Sequence, residues 1–384
     1  MEQLFQLSVS PGSGIEKIRN MGFSDKSKLT VQRKNQHLQI VLENDVLHRD
    51  STMLEDVHLL HNALPELNLD DIELETEFFG KKLKAPLMIT SMTGGADYAE
   101  KMNYGLAEAA EIHGIAFAVG SQRVMLHHPE VTSHFAVRRS IPDGVLLGNI
   151  GAVQLEEYPL EKIAGLVEQI EADGICVHLN PGQELMQAEG HRKFHGNVDM
   201  IARLNDRLEG RVLVKETGAG LSPQVLERLS AIGVRYIDVS GTGGTSWTKV
   251  ESYRAQSKIL RRAGKTFSNW GVPTAYSLIN AREMLSDDIC IIGSGGIENG
   301  LDSARALALG ADIAGFARAI LLAFMDNGVQ GASDFIESNI YELKTAMLLT
   351  GSQRTGDLQK APRIYTGKLL EWLKNSDSHL GDKG

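Results

Sequence analysis

Short runs of apolar residues recur along the chain at intervals of mostly about 25 to 35 residues, as expected for successive strand–helix units. The runs occupy residues 85–91, 115–121, 145–151, 175–180, 212–218, 236–241, 289–296 and 312–318. Most are apolar on both faces, which is typical of parallel strands that are covered by helices on both sides. The pattern therefore predicts eight buried parallel strands.

The segments between these runs have helical composition and several end in glycine, as at Gly174, Gly233 and Gly310, where a helix C-cap is expected. Eight alternating units favour an α/β fold of the (β/α)8 TIM barrel type over a doubly wound open sheet, which usually has about five to seven strands. About fifty residues separate the sixth and seventh runs, so we expect an insertion after strand 6.

The sequence predicts that the chain is divided into three parts. Residues 1–32 form an N-terminal extension that is either mobile or a cover, 33–371 form the barrel, and 372–384 form a mobile C-terminal tail. Within the barrel part, residues 71–83 alternate enough to predict a hairpin that caps the barrel bottom.

The composition and charge of the chain argue against a membrane or nucleic acid as its partner. The chain has 384 residues, 42% of them hydrophobic, and a formal net charge of −10, and it has no apolar run long enough to cross a membrane. Nucleic acid binding usually needs a basic stripe, and none is present. We expect a cytoplasmic protein with a small-molecule ligand. Cys176 and Cys290 lie in apolar runs, which predicts buried thiols that are not nucleophiles.

The carboxyl ends of the predicted strands supply the candidate site, because barrels of this kind carry their active sites there. The polar or small residues at these ends are Ser91, Met92, Thr93, Gly94, Gly95, Ser121, Gln122, Arg123, Asn149, His178, Asn180, Gln183, Glu184, Lys215, Glu216, Ser240, Thr242, Thr245, Gly295, Gly296, Ala317 and Arg318. A purely structural barrel has no need of such residues at nearly every strand end, so we expect a ligand there.

Small residues at three strand ends indicate a phosphate-bearing ligand. In 240–246 no side chain is larger than threonine, which lets ligand oxygens approach backbone N–H groups, although a flexible turn has the same composition. Gly295 and Gly296 follow the seventh strand, and Ala317 and Arg318 the eighth, where this fold often binds phosphate.

Charged and titratable residues refine the chemistry. Lys215 lies near the end of an apolar strand, so it either pairs with a carboxylate such as Glu216 or contacts a cofactor. His178 and Asn180 face the same side of one strand, where a lone histidine is more often a core residue than a catalyst. Glu184 is a candidate ligand for magnesium, which binds through one or two carboxylates plus ligand phosphates.

Seven motifs, in order from about residue 33 onward, resemble the type 2 isopentenyl-diphosphate isomerases, a family that depends on FMN. They are RKNQH (33–37), MTGG (92–95), GSQR (120–123), GNIGA (148–152), HLNPGQELMQAEG (178–190), VKETG (214–218) and SGTGGTSW (240–247). The fifth and seventh are specific to that family, whereas MTGG alone indicates only the wider class of FMN barrels. Two features depart from the family. Glu298 stands where many members have arginine, and about thirty residues precede the Arg33–Lys34 pair.

The resemblance implies a set of roles. FMN would contact Met92, Thr93, Gly94, Ser121, Asn149, Lys215, Ser240, Thr245, Gly296, Ile297, Glu298, Ala317 and Arg318, with any contact at Glu298 made through its backbone N–H. Substrate would contact Arg33, Lys34, Ser121, Gln122, Arg123 and Gln183. Gln183, His178 and Asn180 would take part in catalysis, and Glu184 would bind Mg2+.

The implied reaction interconverts isopentenyl and dimethylallyl diphosphate, with reduced FMN as acid and base and NAD(P)H as its reductant, in a homo-oligomer of four or more subunits. An FMN-dependent 2-hydroxy-acid oxidoreductase is an alternative, but it needs a late histidine base, and no histidine lies between His195 and His379. A catalytically inactive flavin-binding barrel is the other alternative.

Overall fold

The computed structural model describes residues 25–92 and 97–380, and in this part of the chain eight parallel strands close into a barrel. In chain order the strands are β1 (Val57–Leu59), β2 (Thr76–Phe78), β3 (Lys81–Leu83), β4 (Leu87–Ile89), β5 (Ala116–Ala118), β6 (Leu146–Gly151), β7 (Gly174–His178), β8 (Val212–Lys215), β9 (Tyr236–Asp238), β10 (Cys290–Ser294), β11 (Ile313–Phe316) and β12 (Arg363–Tyr365). The barrel consists of β4 to β11, and each of the eight predicted runs overlaps one of these strands. The predicted TIM barrel is confirmed.

Helices follow the barrel strands and bury their apolar faces against them. They are α1 (Asp25–Glu43), α2 (Asp97–His113), α3 (Gln154–Glu157), α4 (Leu160–Gln169), α5 (Pro181–Met186), α6 (Asn197–Arg207), α7 (Pro223–Ala231), α8 (Trp247–Arg254), α9 (Lys258–Thr266), α10 (Thr274–Met284), α11 (Gly300–Ala308), α12 (Arg318–Thr350), α13 (Thr355–Lys360) and α14 (Gly367–Leu380). Helix α12 is kinked where Asn327 and Gly328 leave helical geometry. No helix among the described residues is long and apolar enough to span a membrane.

Side chains at every second position along each barrel strand point inward and fill the interior of the barrel. Met88, Leu147, Cys176, Leu213 and Ile292 belong to one buried cluster inside the barrel. Because side chains alternate along a strand, residues two positions further toward the carboxyl end of each strand also point inward. The sequence thus places a polar inward-facing layer directly above the apolar one.

The predicted hairpin is formed by β2 and β3, which pair antiparallel. Phe78 is buried within the interior cluster, and the ring of Phe79 stacks on Tyr236, the first residue of β9, with 3.9 Å between ring centroids. The hairpin therefore closes the amino-terminal end of the barrel, as the sequence indicated.

Two helices, α8 and α9, form the predicted insertion between β9 and the barrel helix α10. Each begins at a serine whose hydroxyl caps it: Ser246 Oγ accepts from Lys249 N at 3.3 Å, and Ser257 Oγ accepts from Leu260 N at 3.5 Å. The insertion packs against α5 and α1, so it builds one wall above the carboxyl end of the barrel.

The predicted boundaries at residues 32 and 372 both fall within helices. Helix α1 begins at Asp25 and continues through the first boundary, while residues 1–24 lie outside the described part. At the other end, α14 extends through the predicted tail as far as Leu380. Apolar residues anchor this helix, although residues 374–384 are mostly polar. Leu369 is fully buried, and the Trp372 ring packs edge-on against Tyr276, with 5.1 Å between the ring centroids.

Candidate active site

A cavity opens at the carboxyl end of the barrel, and its walls come from every part of the chain that the motifs marked. The predicted site residues that line it are Arg33, Lys34, Met92, Ser121, Arg123, Asn149, His178, Asn180, Gln183, Glu184, Lys215, Ser240, Thr245, Gly296, Ile297, Glu298, Ala317 and Arg318. Thr93 and Gly94 lie outside the described residues. Positions far apart in sequence therefore converge on one mouth.

Gln122 does not reach this cavity, in contrast to its predicted contact with substrate. Its side chain is fully buried, with Oε1 accepting from Asn149 N at 2.9 Å and Nε2 donating to Leu166 O at 3.1 Å. A buried amide needs such partners, and here they draw the side chain behind strand β6. Gln122 thus supports Asn149 from outside the cavity.

His178 and Lys215 form the centre of the polar layer. His178 Nδ1 donates to Asn149 Oδ1 at 2.9 Å, which leaves Nε2 as an acceptor. Burial, followed by the positive charges of Lys215 and Lys34, lowers the pKa of His178 to about 3, so its imidazole is neutral. Lys215 Nζ donates to the carbonyl of Glu216 and not to its carboxylate.

The loop after β8 is fixed by the Glu216 carboxylate. It accepts hydrogen bonds from the backbone N–H groups of Thr217, at 2.5 Å, and Ala219. Burial raises the pKa of Glu216 to about 7, although these backbone donors and Lys215 act in the opposite direction. Thr217 and Gly218, which line the cavity, are held in place by this turn.

The glycine-rich loop is clamped from outside by the segment that follows α1. Ser246 N donates to Val46 O at 2.8 Å and His48 N donates to Gly244 O at 2.9 Å. On its other side, Gly244 lies so close to Gly296 that an added Cβ would stand 2.6 Å from Gly296 N. Only a residue without a side chain lets these two loops meet at the cavity.

One end of the cavity has the features of a phosphate site. Gly295 and Gly296 have positive φ angles of 100° and 76°, and they turn the chain after β10 at the cavity that the start of α12 also lines. Arg318 is the first residue of that helix, and its buried Nε has no hydrogen-bond partner. An unpaired buried donor beside a helix N-terminus suits an anionic group.

Glu298 lines the same end, but its backbone is already engaged. Its side chain is exposed, and its N–H donates to Asp302 Oδ2 at 3.3 Å. The predicted backbone contact at Glu298 would have to compete with this long hydrogen bond.

Three further cations line the cavity. Lys34 Nζ donates to Ser121 O at 3.0 Å, Arg33 donates to Gln187 Oε1 at 3.3 Å, and Arg123 lies 3.8 Å from Glu157. Burial and the charge of Arg33 lower the pKa of Lys34 to about 7. Burial and the charge of Arg123 likewise lower the pKa of Arg33, although Glu189 and Glu251 act in the opposite direction. This repulsion would be relieved by an anion.

A buried carboxylate that the sequence did not reveal organises one wall of the cavity. Glu251 is 1% exposed, and its Oε1 accepts from Gln183 at 3.1 Å and from Gln187 at 2.7 Å. His37 Nε2 lies 2.8 Å from the same oxygen, and Arg254 donates to Oε2 at 2.6 Å. Burial alone would raise the pKa of Glu251, but its bonds to His37, Arg254 and Gln183 lower it to about 2. His37 and Gln187 stood within the recognised motifs, whereas Glu251 lies just beyond SGTGGTSW, in a helix whose sequence gave no sign of burial.

Glu184 is the one predicted metal ligand. It is 6% exposed; Oε1 accepts from Asn180 Nδ2 at 3.3 Å, and Oε2 accepts from His191 N at 2.7 Å. Among the residues with described side chains, no group of three His, Cys, Asp or Glu residues could hold a metal ion. A cation here would therefore need oxygens from a bound ligand to complete its coordination, which is how Mg2+ commonly binds phosphates.

Comparisons with known proteins agree with this geometry. The family described as FMN-dependent dehydrogenase matches residues 164–364. Isopentenyl-diphosphate delta-isomerase of Pyrococcus furiosus is 40% identical over 91% of this chain and 90% of its own length, and that of Rickettsia felis is 44% identical over 87% and 96%. A Pediococcus acidilactici lactate oxidase (putative) has a similar structure, with a TM-score of 0.63 at 14% identity over 91% of this chain and 96% of that chain. At that identity the likeness concerns the fold alone.

Proposed function

Because the chain belongs to the FMN-dependent isopentenyl-diphosphate delta-isomerases, we propose that its cavity interconverts isopentenyl and dimethylallyl diphosphate with FMN and Mg2+ bound. The observation that carries the proposal is that one cavity gathers two sets of residues suited to anions. Gly296 and Arg318 would receive the cofactor phosphate, and Arg33, Lys34 and Arg123 would receive the substrate diphosphate.

FMN fits the residues at the first of these sites. The unpaired Nε of Arg318 and the turn at Gly295 and Gly296 would receive its phosphate. Ser240 and Thr245 would line its length, and Lys215 would lie beside the ring, where a positive charge favours the reduced anion. When bound and reduced, FMN supplies the acid and the base that add a proton to one carbon of the alkene and remove one from another.

The residues of the chain would bind and orient the substrate. Arg33, Lys34 and Arg123 would hold the diphosphate, and Glu184 would hold a Mg2+ that offsets the diphosphate charge. Gln183, fixed by Glu251, would lie beside the reacting carbons and exclude water from them. The neutral His178 adds no charge near the developing tertiary cation, and its Nε2 remains able to accept a hydrogen bond.

Apolar side chains complete the pocket for the isoprenoid carbons. Leu38, Val41, Leu47 and Trp247 line the cavity on the side of α1 and α8. They would hold the alkene while the charged groups hold the diphosphate, so the two halves of the substrate set its orientation.

We also propose NAD(P)H as the reductant of the flavin, a homo-oligomer of four or more subunits, and a cytoplasmic location. No residue of the described part is assigned to these properties. The alternative of a 2-hydroxy-acid oxidoreductase is less well supported, because it needs a histidine base near the late strands, and no histidine lies between His195 and His379.

The proposal is tested by recording the visible spectrum of the purified protein and then supplying isopentenyl diphosphate, Mg2+ and a reductant. We expect a flavin spectrum and formation of the dimethylallyl isomer. A protein that takes up no FMN would contradict the assignment of the cofactor. Tight FMN binding without isomer formation would instead favour the inactive barrel.

A further inference from the structure

Asp238 is a fully buried carboxylate in the polar layer of the barrel, and the proposed chemistry has not used it. It ends strand β9 with 0% exposure, and it is not among the residues that line the cavity. Tyr236, two positions earlier, packs against the interior cluster, so Asp238 also points into the barrel. Its carboxylate therefore lies beneath the floor of the flavin site.

One oxygen of this carboxylate holds two cavity residues at once. Oδ1 accepts from Ser240 N at 3.1 Å and from Ser294 Oγ at 2.7 Å. Ser240 has a φ of 38°, a conformation that residues other than glycine rarely adopt, so its turn needs such a support. Both serines line the cavity on the side where the FMN would lie.

The other oxygen, Oδ2, is buried and has no hydrogen-bond partner. Asp238 lies opposite Lys215 in the register of β8 and β9. Burial raises the pKa of Asp238, and the charge of Lys215 opposes that change together with the bonds from Ser294 and Ser240. A protonated carboxyl would need an acceptor for its O–H, whereas a carboxylate is favoured by the nearby ammonium.

We propose that Asp238 is a positioning residue of the flavin site, which fixes Ser240 and Ser294 through Oδ1 and acts as the buried counter-charge of Lys215. This inference rests on the proposed FMN site but not on the isomerase reaction. In this arrangement the Asp238 charge partly cancels the field that Lys215 exerts on the cofactor. The residue therefore sets how strongly reduced, anionic FMN is preferred over oxidised FMN.

The test is Asp238→Asn, which retains a carbonyl oxygen for both serines and removes the charge. Oxidised FMN should bind within about threefold of the wild-type affinity, because the two hydrogen bonds remain. Reduced FMN should be favoured about tenfold more than in the wild type, a rise of about 30 mV in the two-electron potential. The potential is measured without substrate, so failure of the isomerase reaction would leave this result interpretable.

Asp238→Ala separates the two roles, because it removes the acceptor together with the charge. We expect FMN affinity to fall at least tenfold in this variant, with recovery in Asp238→Asn. Asp312→Asn is the matched control: Asp312 accepts from Ile291 N at 2.8 Å at the amino-terminal end of the barrel, and its loss should leave the potential unchanged. If Asp238→Asn fails to fold, Asp238→Ser provides a second neutral variant, and the thermal midpoint of each apo-protein reports folding.

Two outcomes would overturn the inference. An unchanged flavin potential in the folded Asn or Ser variant would show that Asp238 is not a counter-charge of Lys215. Wild-type FMN affinity in Asp238→Ala, or in Ser294→Ala, would show that the carboxylate does not position the flavin contacts. Combining Asp238→Asn with Lys215→Met should give shifts in potential that are not additive, since the two charges act on each other.

Discussion

Gln183 donates a hydrogen bond from Nε2 to Glu251 Oε1 at 3.1 Å, and this contact joins helix α5, after the fourth barrel strand, to the insertion after the sixth. Asn180 Nδ2 donates to Gln183 Oε1 at 3.1 Å, so both ends of the Gln183 amide are held. The orientation of this amide is therefore set by a carboxylate that does not itself line the cavity.

Glu251→Gln should disturb the orientation of the Gln183 amide without changing the affinity for FMN. Three side chains donate to Glu251, and His37 Nε2 lies 2.8 Å from its Oε1, so an amide in its place would set its own N–H2 group against at least one of these groups. We expect turnover to fall about 100-fold, the scale of a misplaced substrate contact, while FMN affinity stays within about twofold. Glu189→Gln removes an exposed carboxylate that also bonds Arg254 and should leave turnover almost unchanged. Equal effects of the two variants would contradict the orienting role of Glu251.

The pKa of about 7 at Lys34 predicts a pH-dependent affinity for diphosphate. Below pH 7 the ammonium is charged, whereas above pH 7 binding of an anion must be accompanied by proton uptake, and the affinity falls by up to about tenfold per pH unit. Calorimetric titration with inorganic pyrophosphate between pH 6 and 9 measures this. Lys34→Arg stays charged over the whole range, so it should lack that part of the decline. If the pH dependence of affinity is the same in Lys34→Arg and the wild type, once both are corrected for the ionisation of pyrophosphate itself, Lys34 does not titrate in this range.

Glu184→Gln should raise the Mg2+ concentration needed for half-maximal turnover by at least about tenfold, because the amide is a weaker ligand for a hard cation. FMN binding should not change. Glu298→Gln removes a different acidic side chain from the same cavity and serves as the control. An Mg2+ dependence that is the same in Glu184→Gln and the wild type would remove Glu184 from the metal site.

Glu298→Arg should tighten FMN binding by about threefold to tenfold, within the range of a partly exposed ion pair. The wild-type carboxylate is exposed at the phosphate end of the cavity, where a negative charge opposes the cofactor phosphate. Glu298→Gln should give a smaller gain, since it removes repulsion without adding attraction. Fluorescence titration of the apo-protein with FMN gives both constants; weaker binding by the arginine variant would mean that this side chain points away from phosphate.

The barrel and most of its site were predictable because they depend on periodicity and local chemistry. Strands apolar on both faces indicated the parallel sheet, and each strand end then gave residues such as Asn149 and Lys215 that do line the cavity. Gln122 was misplaced because sequence position does not tell which way a residue in a 3-10 turn points. In the structure its amide is drawn toward Leu166 and Asn149 behind the strand.

Other residues could not be found from sequence because their importance arises from tertiary contacts. The sequence predicts Glu251 as an exposed residue of a polar helix. Only the packing of α8 against α5 and α1 buries it beside Gln183 and His37. The sequence places Asp238 in a strand, but its proposed role depends on the register of β8 and β9, which sets it opposite Lys215. The anchoring of helix α14 could not be predicted, because its contact, Trp372 on Tyr276, joins segments about one hundred residues apart.

The central claim is that reduced FMN in this cavity moves a proton without being consumed. The most direct measurement is the ratio of dimethylallyl diphosphate formed to reductant consumed, under anaerobic conditions with FMN-loaded protein, Mg2+ and isopentenyl diphosphate. We predict many product molecules for each molecule of NAD(P)H, because one reduction prepares the flavin for repeated turnover. A ratio of one, or reductant consumption without any isomer, would contradict the claim.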